Sequence, residues 1–122
     1  MPGPQQGATG GQRLGLAQAM ELATRHQGEG RLREAEAVLR EILKAAPQHA
    51  PALHLLGIIA HQSGQSDLAA GLIGEALEVR PSAGLFHTNL CEILRQQGDL
   101  AGAIEHGHRG AELDPGSATA HS

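Results

Sequence analysis

Apolar side chains recur along this chain with the spacing of a single helix face. One clear stripe is formed by residues at i, i+3, i+4 and i+7, namely Leu53, Leu56, Gly57 and Ala60. This spacing places the four side chains on one face of an α-helix. The periodic stretches predict six helices, over residues 15–28, 32–45, 50–63, 66–79, 84–97 and 100–113. The sequence therefore predicts an all-α protein.

Prolines and glycines group these helices into pairs at a fixed interval. Three of the prolines stand 34 residues apart, at Pro47, Pro81 and Pro115. A glycine stands 17 residues before each of them, at Gly30, Gly64 and Gly98. Because proline cannot continue a helix and glycine is favoured where a chain turns out of one, each unit consists of helix, glycine turn, helix and proline turn. The predicted units are residues 14–47, 48–81 and 82–115.

The 34-residue unit resembles the tetratricopeptide repeat, whose pattern is W-x2-L-G-x2-Y, then A-x3-F, then a proline. The middle unit carries most of the small and apolar positions of that pattern, at Leu56, Gly57, Ala69, Ala76 and Pro81. The first and third units match more loosely, and the resemblance covers residues 14–117. It implies a right-handed α-solenoid of three antiparallel helix pairs.

The resemblance also implies a partner-binding groove lined by the first helix of each pair. The family's groove positions correspond here to Ala17, Met20, Thr24, Gln27, Pro51, His54, Ile58, His61, Leu85, Thr88, Glu92 and Arg95. This mixed surface suits an extended peptide or a helix held by shape and scattered hydrogen bonds. Chaperone-binding members of the family hold a carboxylate with a cluster of Lys, Arg and Asn, and that cluster is missing here.

Asn89 is a further candidate for the groove, with two interpretations. Asn89-Leu90 is similar to the Asn-Leu-Gly run in repeats of O-linked N-acetylglucosamine transferase, where a ladder of asparagines binds the backbone of extended substrates. Glu21 and Leu55 occupy the equivalent positions in the first two units, so the ladder would have at most one rung. The alternative is a polar side chain that makes a local helix contact.

Metal and catalytic chemistry have little support in the sequence. His54 and His61 are seven residues apart and His106 and His108 are two apart, so neither pair has the i, i+4 spacing of a helical zinc site. Cys91 is the only cysteine, and we expect it to be a buried thiol that packs as a small hydrophobic residue. We expect no catalytic residues, no metal and no cofactor.

Composition agrees with thin helical layers and narrows the class of partner. The 122 residues include one Phe and no Trp or Tyr, so Leu, Ile and Ala must fill the helix interfaces. The net charge of −4 argues against a nucleic-acid partner. No apolar run approaches the ~18 residues that span a bilayer. We therefore expect a cytoplasmic protein with no membrane insertion.

The two ends of the chain are predicted to differ from the repeats. Residues 1–13 are expected to be a flexible leader, and residues 116–122 the start of a truncated fourth repeat or a tail. The last predicted helix would leave Leu100, Ile104 and Ala111 partly uncovered. Either the sequence is a fragment of a longer protein, which we favour, or another subunit covers that edge.

The sequence thus predicts a noncatalytic scaffold that binds a peptide or protein partner in a groove. Two alternatives stay open. Residues 52–62 resemble a segment of bacterial proteins that carry repeats ahead of a catalytic domain. The chain would then be the substrate-recruiting N-terminal arm of a larger glycosyltransferase or sulfotransferase. The other alternative is a self-assembling subunit, a homo-oligomer formed through the uncapped last helix.

Overall fold

The computed structural model describes residues 15–113, and this part of the chain is helical apart from short turns. The helices are α1 (Leu16–Gly28), α2 (Leu32–Ala45), α3 (Ala50–Gln62), α4 (Ser66–Val79), α5 (Gly84–Gln97) and α6 (Leu100–Leu113). Each lies within one residue of its predicted bounds, so the six predicted helices are confirmed. The leader predicted at residues 1–13 and the tail at 116–122 fall outside the described residues.

Glycine makes the turn inside each pair, as predicted. Gly30, Gly64 and Gly98 have φ values of 79°, 84° and 86°, in the left-handed region that favours glycine. The amide of the residue after each glycine donates to a carbonyl five residues earlier; for example, Asp99 N lies 2.9 Å from Leu94 O. This pattern caps the exposed carbonyls at the end of the helix. The three turns are therefore alike in conformation as well as in sequence.

Proline ends the second helix of the first two units. Ala46 and Arg80, which precede Pro47 and Pro81, have φ values of −140° and −130°. A proline disfavours the helical conformation in the residue before it. Helices α2 and α4 therefore end at Ala45 and Val79, and the next pair begins a few residues later.

The three helix pairs fall into two compact units, which divide at Pro47. From here on, the first and second unit mean these two compact units. The first unit contains α1 and α2, and its buried apolar side chains are Ala23, Ala35, Leu39 and Ile42. The second unit contains α3 to α6: α3 packs on α4, α5 packs on α6, and α5 contacts both α4 and α3. Leu, Ile and Ala supply most of its core, together with the single phenylalanine, Phe86.

Small residues let the paired helices of the second unit approach closely. A Cβ atom at Gly57 of α3 would lie 2.7 Å from Ile73 Cγ1 and 3.1 Å from the Ala69 carbonyl oxygen of α4. On the next pair, Gly107 of α6 lies opposite Cys91 of α5, where an added Cβ would be 3.2 Å from the sulfur. Cys91 is half-buried. The prediction of a buried thiol is therefore wrong in degree, because Cys91 packs against α6 but stays partly exposed.

Helix α6 carries apolar side chains on its outer face, as predicted. Leu100 and Ile104 are 61% and 62% exposed, and Ala111 is exposed as well. Among residues 15–113, no helix is both long enough and apolar enough to cross a membrane.

Candidate functional site

The candidate residues of the second unit lie on α3 and α5, two helices that contact each other. We call this surface the α3–α5 face and define it by Ile58, His54 and His61 of α3 with Leu85, Asn89, Glu92 and Arg95 of α5. These are the first helices of their pairs. The periodicity of each helix places the named residues along one side of it.

A direct side-chain contact joins the two helices at the centre of this face. The Asn89 amide nitrogen donates to His54 Nε2 at 2.7 Å. Because an amide nitrogen can only donate, His54 Nε2 carries a lone pair and the neutral ring carries its proton on Nδ1. The His54 ring also stacks on Phe86, with centroids 4.4 Å apart and planes 21° from parallel. Asn89 therefore makes a contact between two helices rather than within its own helix.

His54 is held in its neutral form. Burial lowers its pKa to about 4, because moving an imidazolium out of water is unfavourable. The hydrogen bond from Asn89 requires the same neutral state. The centre of the α3–α5 face is therefore polar but uncharged at neutral pH.

The charged residues of the face pair with their own helix neighbours. Glu92 accepts hydrogen bonds from Gln96 at 2.9 Å and from Arg95 at 2.5 Å. The bonds from Gln96 and Arg95 lower the pKa of the exposed Glu92 carboxyl. His61 of α3 lies close enough for its charge to lower that pKa as well. Because Glu92 and Arg95 form an ion pair, this part of the α3–α5 face has little net charge.

Apolar surface completes the α3–α5 face. Leu85 is 60% exposed and Ile58 is half-buried. Thr88 does not contribute to this apolar surface. Its hydroxyl donates to Gly84 O at 3.1 Å and lies toward α6. A Cβ atom added at Gly110 of α6 would be 2.6 Å from the hydroxyl oxygen. The accessible apolar contact on this face is therefore chiefly Leu85, with Ile58 as a smaller contribution.

The other three candidates lie on α1, in the first unit. Met20 and Gln27 are half-buried and Thr24 is exposed. The Thr24 hydroxyl donates to Met20 O at 2.8 Å, a common way for threonine to satisfy its hydroxyl within a helix.

The sequence did not predict that two imidazoles face each other between α5 and α6. His87 Nδ1 lies 2.9 Å from His106 Nδ1, and His87 Nε2 lies 2.8 Å from the Pro81 carbonyl oxygen. One available signal was that His87 occupies a position where the repeat pattern has an aromatic residue, and such positions are buried. Within residues 15–113, no cluster of three or more His, Cys, Asp or Glu side chains is placed to hold a metal ion.

Comparisons with known proteins agree with this architecture. A family model described as tetratricopeptide repeat matches residues 26–88, and another with the same description matches residues 62–118. The human tetratricopeptide repeat protein 36 is 34% identical over 87 residues, which are 68% of this chain and 46% of the human protein. The matched chain thus spans less than half the length of that relative.

Solved structures show the same arrangement of helices. A mutant O-GlcNAc transferase from Thermobaculum terrenum is 30% identical with a TM-score of 0.79, over 82% of this chain and 19% of that one. The Yersinia enterocolitica type III secretion chaperone SycD, in complex with a peptide of the translocator YopD, is 24% identical with a TM-score of 0.75, over 80% and 75% of the two chains. The predicted all-α repeat fold is confirmed, and this chain belongs to the tetratricopeptide repeat family.

Proposed function

We propose that this chain is a noncatalytic interaction module that binds an extended peptide or a helix of a partner protein on the α3–α5 face. The observation that carries the proposal is the chemistry of that face. Its centre, formed by His54 and Asn89, is polar and uncharged, and Leu85 beside it is 60% exposed. Such a surface matches a partner that offers an apolar side chain and hydrogen-bonding groups.

The charged residues of the face are paired with each other, which favours a partner segment without charge. Glu92 and Arg95 form an ion pair along α5, so neither is left to attract an opposite charge over a distance. Exposed charges that remain unpaired would make binding depend on salt, because salt screens them. We therefore expect the affinity for the partner segment to change little with ionic strength.

The similar structures support a peptide as the partner. The SycD structure contains a peptide of YopD, so a protein with this fold does bind a peptide. Met20, Thr24 and Gln27 of α1 stay candidate partner-binding residues of the first unit. A cytoplasmic location is part of the proposal, since a sequence with one cysteine has no disulfide framework of the kind that small secreted domains use.

The test is a peptide selection followed by two matched substitutions. A displayed library of random peptides is selected on the immobilised 122-residue chain, and the affinity of a selected peptide is measured by fluorescence anisotropy. Leu85→Glu should weaken binding by at least about tenfold, since it places a charge on the apolar contact. Leu68→Glu is the control, because Leu68 is an exposed leucine of α4 outside the face, 46% accessible. An equal loss of affinity in both variants, or no loss in Leu85→Glu, would show that the peptide does not bind on the α3–α5 face.

A second candidate function is the substrate-recruiting arm of a larger transferase. It is favoured by the likeness to the Thermobaculum terrenum O-GlcNAc transferase, of which the match covers 19%. Asn89 uses one amide proton for His54, so its remaining amide groups would contact a substrate backbone. The test is the gene beyond codon 122: a reading frame that encodes a transferase domain supports this candidate, and an immediate stop codon excludes it.

A further inference from the structure

We propose that His87 and His106 form a proton-sensitive latch that holds α6 against α5. The two rings face each other across the helix interface, with centroids 5.1 Å apart and planes 25° from parallel. Their Nδ1 atoms are only 2.9 Å apart, so these nitrogens point at each other between the rings. The proposal concerns the α5–α6 interface and does not rest on peptide binding by the α3–α5 face.

The Pro81 carbonyl determines which nitrogens carry protons. A carbonyl oxygen only accepts, so His87 Nε2, at 2.8 Å from it, must carry a proton and donate. Neutral His87 then has a bare Nδ1. His106 must therefore carry its proton on Nδ1 and donate it to His87. One proton lies between the two rings, and the hydrogen bond exists only while at least one of the facing nitrogens is unprotonated.

Acid removes this hydrogen bond. A first added proton can enter at His106 Nε2 and leave the bond in place, but a second one must enter at His87 Nδ1. Two N–H groups would then face each other at 2.9 Å, on two positive rings. His87 is only 7% exposed, so water cannot screen the repulsion there. The doubly protonated pair must separate, and α6 must move away from α5.

The surroundings of His106 oppose its protonation overall. Burial and the neighbouring His87 lower its pKa, whereas the carboxylates of Glu105 and Asp99 act in the opposite direction. The turn between α4 and α5 places the neutral carbonyl of Pro81, rather than a charged group, beside His87. Because His106 in the folded chain binds a proton less readily than free histidine, whose pKa is about 6.5, the released form is favoured as the pH falls below that value.

Cys91 reports whether α6 is in place. The thiol lies against Gly107 of α6 and is half-buried, and it is the only cysteine in the chain. Movement of α6 would open the thiol to reagents in solution. Its rate of reaction therefore measures the opening of the latch, once the pH dependence of the thiol itself is removed.

The experiment measures protection of Cys91 between about pH 8 and about pH 5, the range over which histidine titrates. The full chain is labelled with 4,4′-dithiodipyridine, and the rate for the chain unfolded in guanidinium is divided by the native rate at each pH. We expect this protection to fall by about tenfold at the acid end. The double variant His87→Gln with His106→Asn keeps uncharged donors and should lose the pH dependence. His108→Asn, an exposed histidine of the same helix, should behave as the unaltered chain.

Two results would overturn the latch. Protection in the unaltered chain could stay constant to pH 5, or the double variant could keep the same fall in protection. If the double variant does not fold at pH 8, nitrogen NMR of the unaltered chain decides instead. Two widely separated titration steps, with loss of the shared Nδ1 proton at the second, support the latch. Independent titration of both rings near the ordinary pKa of about 6.5 contradicts it.

Discussion

Imidazole rings make stacking contacts at two helix interfaces of the second unit. His54 stacks on Phe86, and His87 stacks on His106. Each pair also makes a hydrogen bond that a phenyl ring cannot make, to Asn89 in the first case and between the imidazoles in the second. A chain with eight histidines and one phenylalanine thereby packs planar side chains at its helix interfaces. Because imidazoles titrate, we expect this packing to depend on pH.

At the scale of single residues, we predict that His54 makes the folded chain less stable in acid. Its pKa is about 4 in the folded chain and about 6.5 when unfolded. The unfolded chain therefore binds the proton more readily, and the stability that His54 contributes is complete above pH 6.5 and lost as the pH falls toward 4. Between pH 7 and pH 4 the loss should be about 2 kcal/mol, allowing for partial solvent screening.

Urea unfolding at both pH values measures this loss. The variant His54→Gln, which can still accept from Asn89, should lose less stability on acidification than the unaltered chain, by about the same 2 kcal/mol. An equal loss in the two proteins would mean that His54 is protonated freely in the fold.

Little of this residue-level detail could be predicted from the sequence. The partners in each imidazole contact are 32 or 19 positions apart, as in His54 with Phe86 and His87 with His106. Contacts of this kind depend on the register between packed helices and on side-chain rotamers. Spacing within a helix shows only which residues share a face, so it gave no sign that His106 meets His87 of the neighbouring helix.

At the scale of the elements, the sequence predicted the helices almost to the residue. Their ends are imposed by local covalent properties: the fixed φ of Pro81, for instance, and the freedom of Gly64 to take a positive φ of 84°. Such causes are visible without knowledge of the tertiary structure. The pairing of α3 with α4 also follows, because the short turn between them leaves two apolar faces to pack on each other.

Close packing of α3 on α4 predicts opposite effects for two glycine substitutions. Gly57→Ala should destabilise the chain by about 1–3 kcal/mol, because its Cβ would lie 2.7 Å from Ile73 and 3.1 Å from backbone of α4. Gly71→Ala is the matched control: no heavy atom lies within 4 Å of the added carbon, and alanine favours the helix by up to about 1 kcal/mol.

Chemical denaturation followed by circular dichroism measures both glycine variants. A neutral or stabilising Gly57→Ala would mean that α3 and α4 are farther apart than described. A loss of stability in Gly71→Ala would mean that its exposed position on α4 is covered in solution.

At the scale of the whole molecule, the exposed face of α6 bears on self-assembly. If copies associate through this helix, sedimentation velocity should show a mass that rises with concentration, and Ile104→Glu should abolish the rise. Ile104 is 62% exposed, so the substitution leaves the core intact. Leu68→Glu on α4 serves as the control and should retain association. A mass that stays monomeric at every concentration would exclude the self-assembling alternative.

The central claim is that a partner segment binds on the α3–α5 face, and NMR tests it most directly. A peptide selected on the chain is titrated into the 15N-labelled protein, and the shifted amides are assigned. We predict that the largest changes fall on Leu85, Ile58 and the side-chain amide of Asn89, and that they persist at high salt. Changes concentrated on the outer face of α6 or on α4, with Leu85 and Asn89 unaffected, would contradict the account.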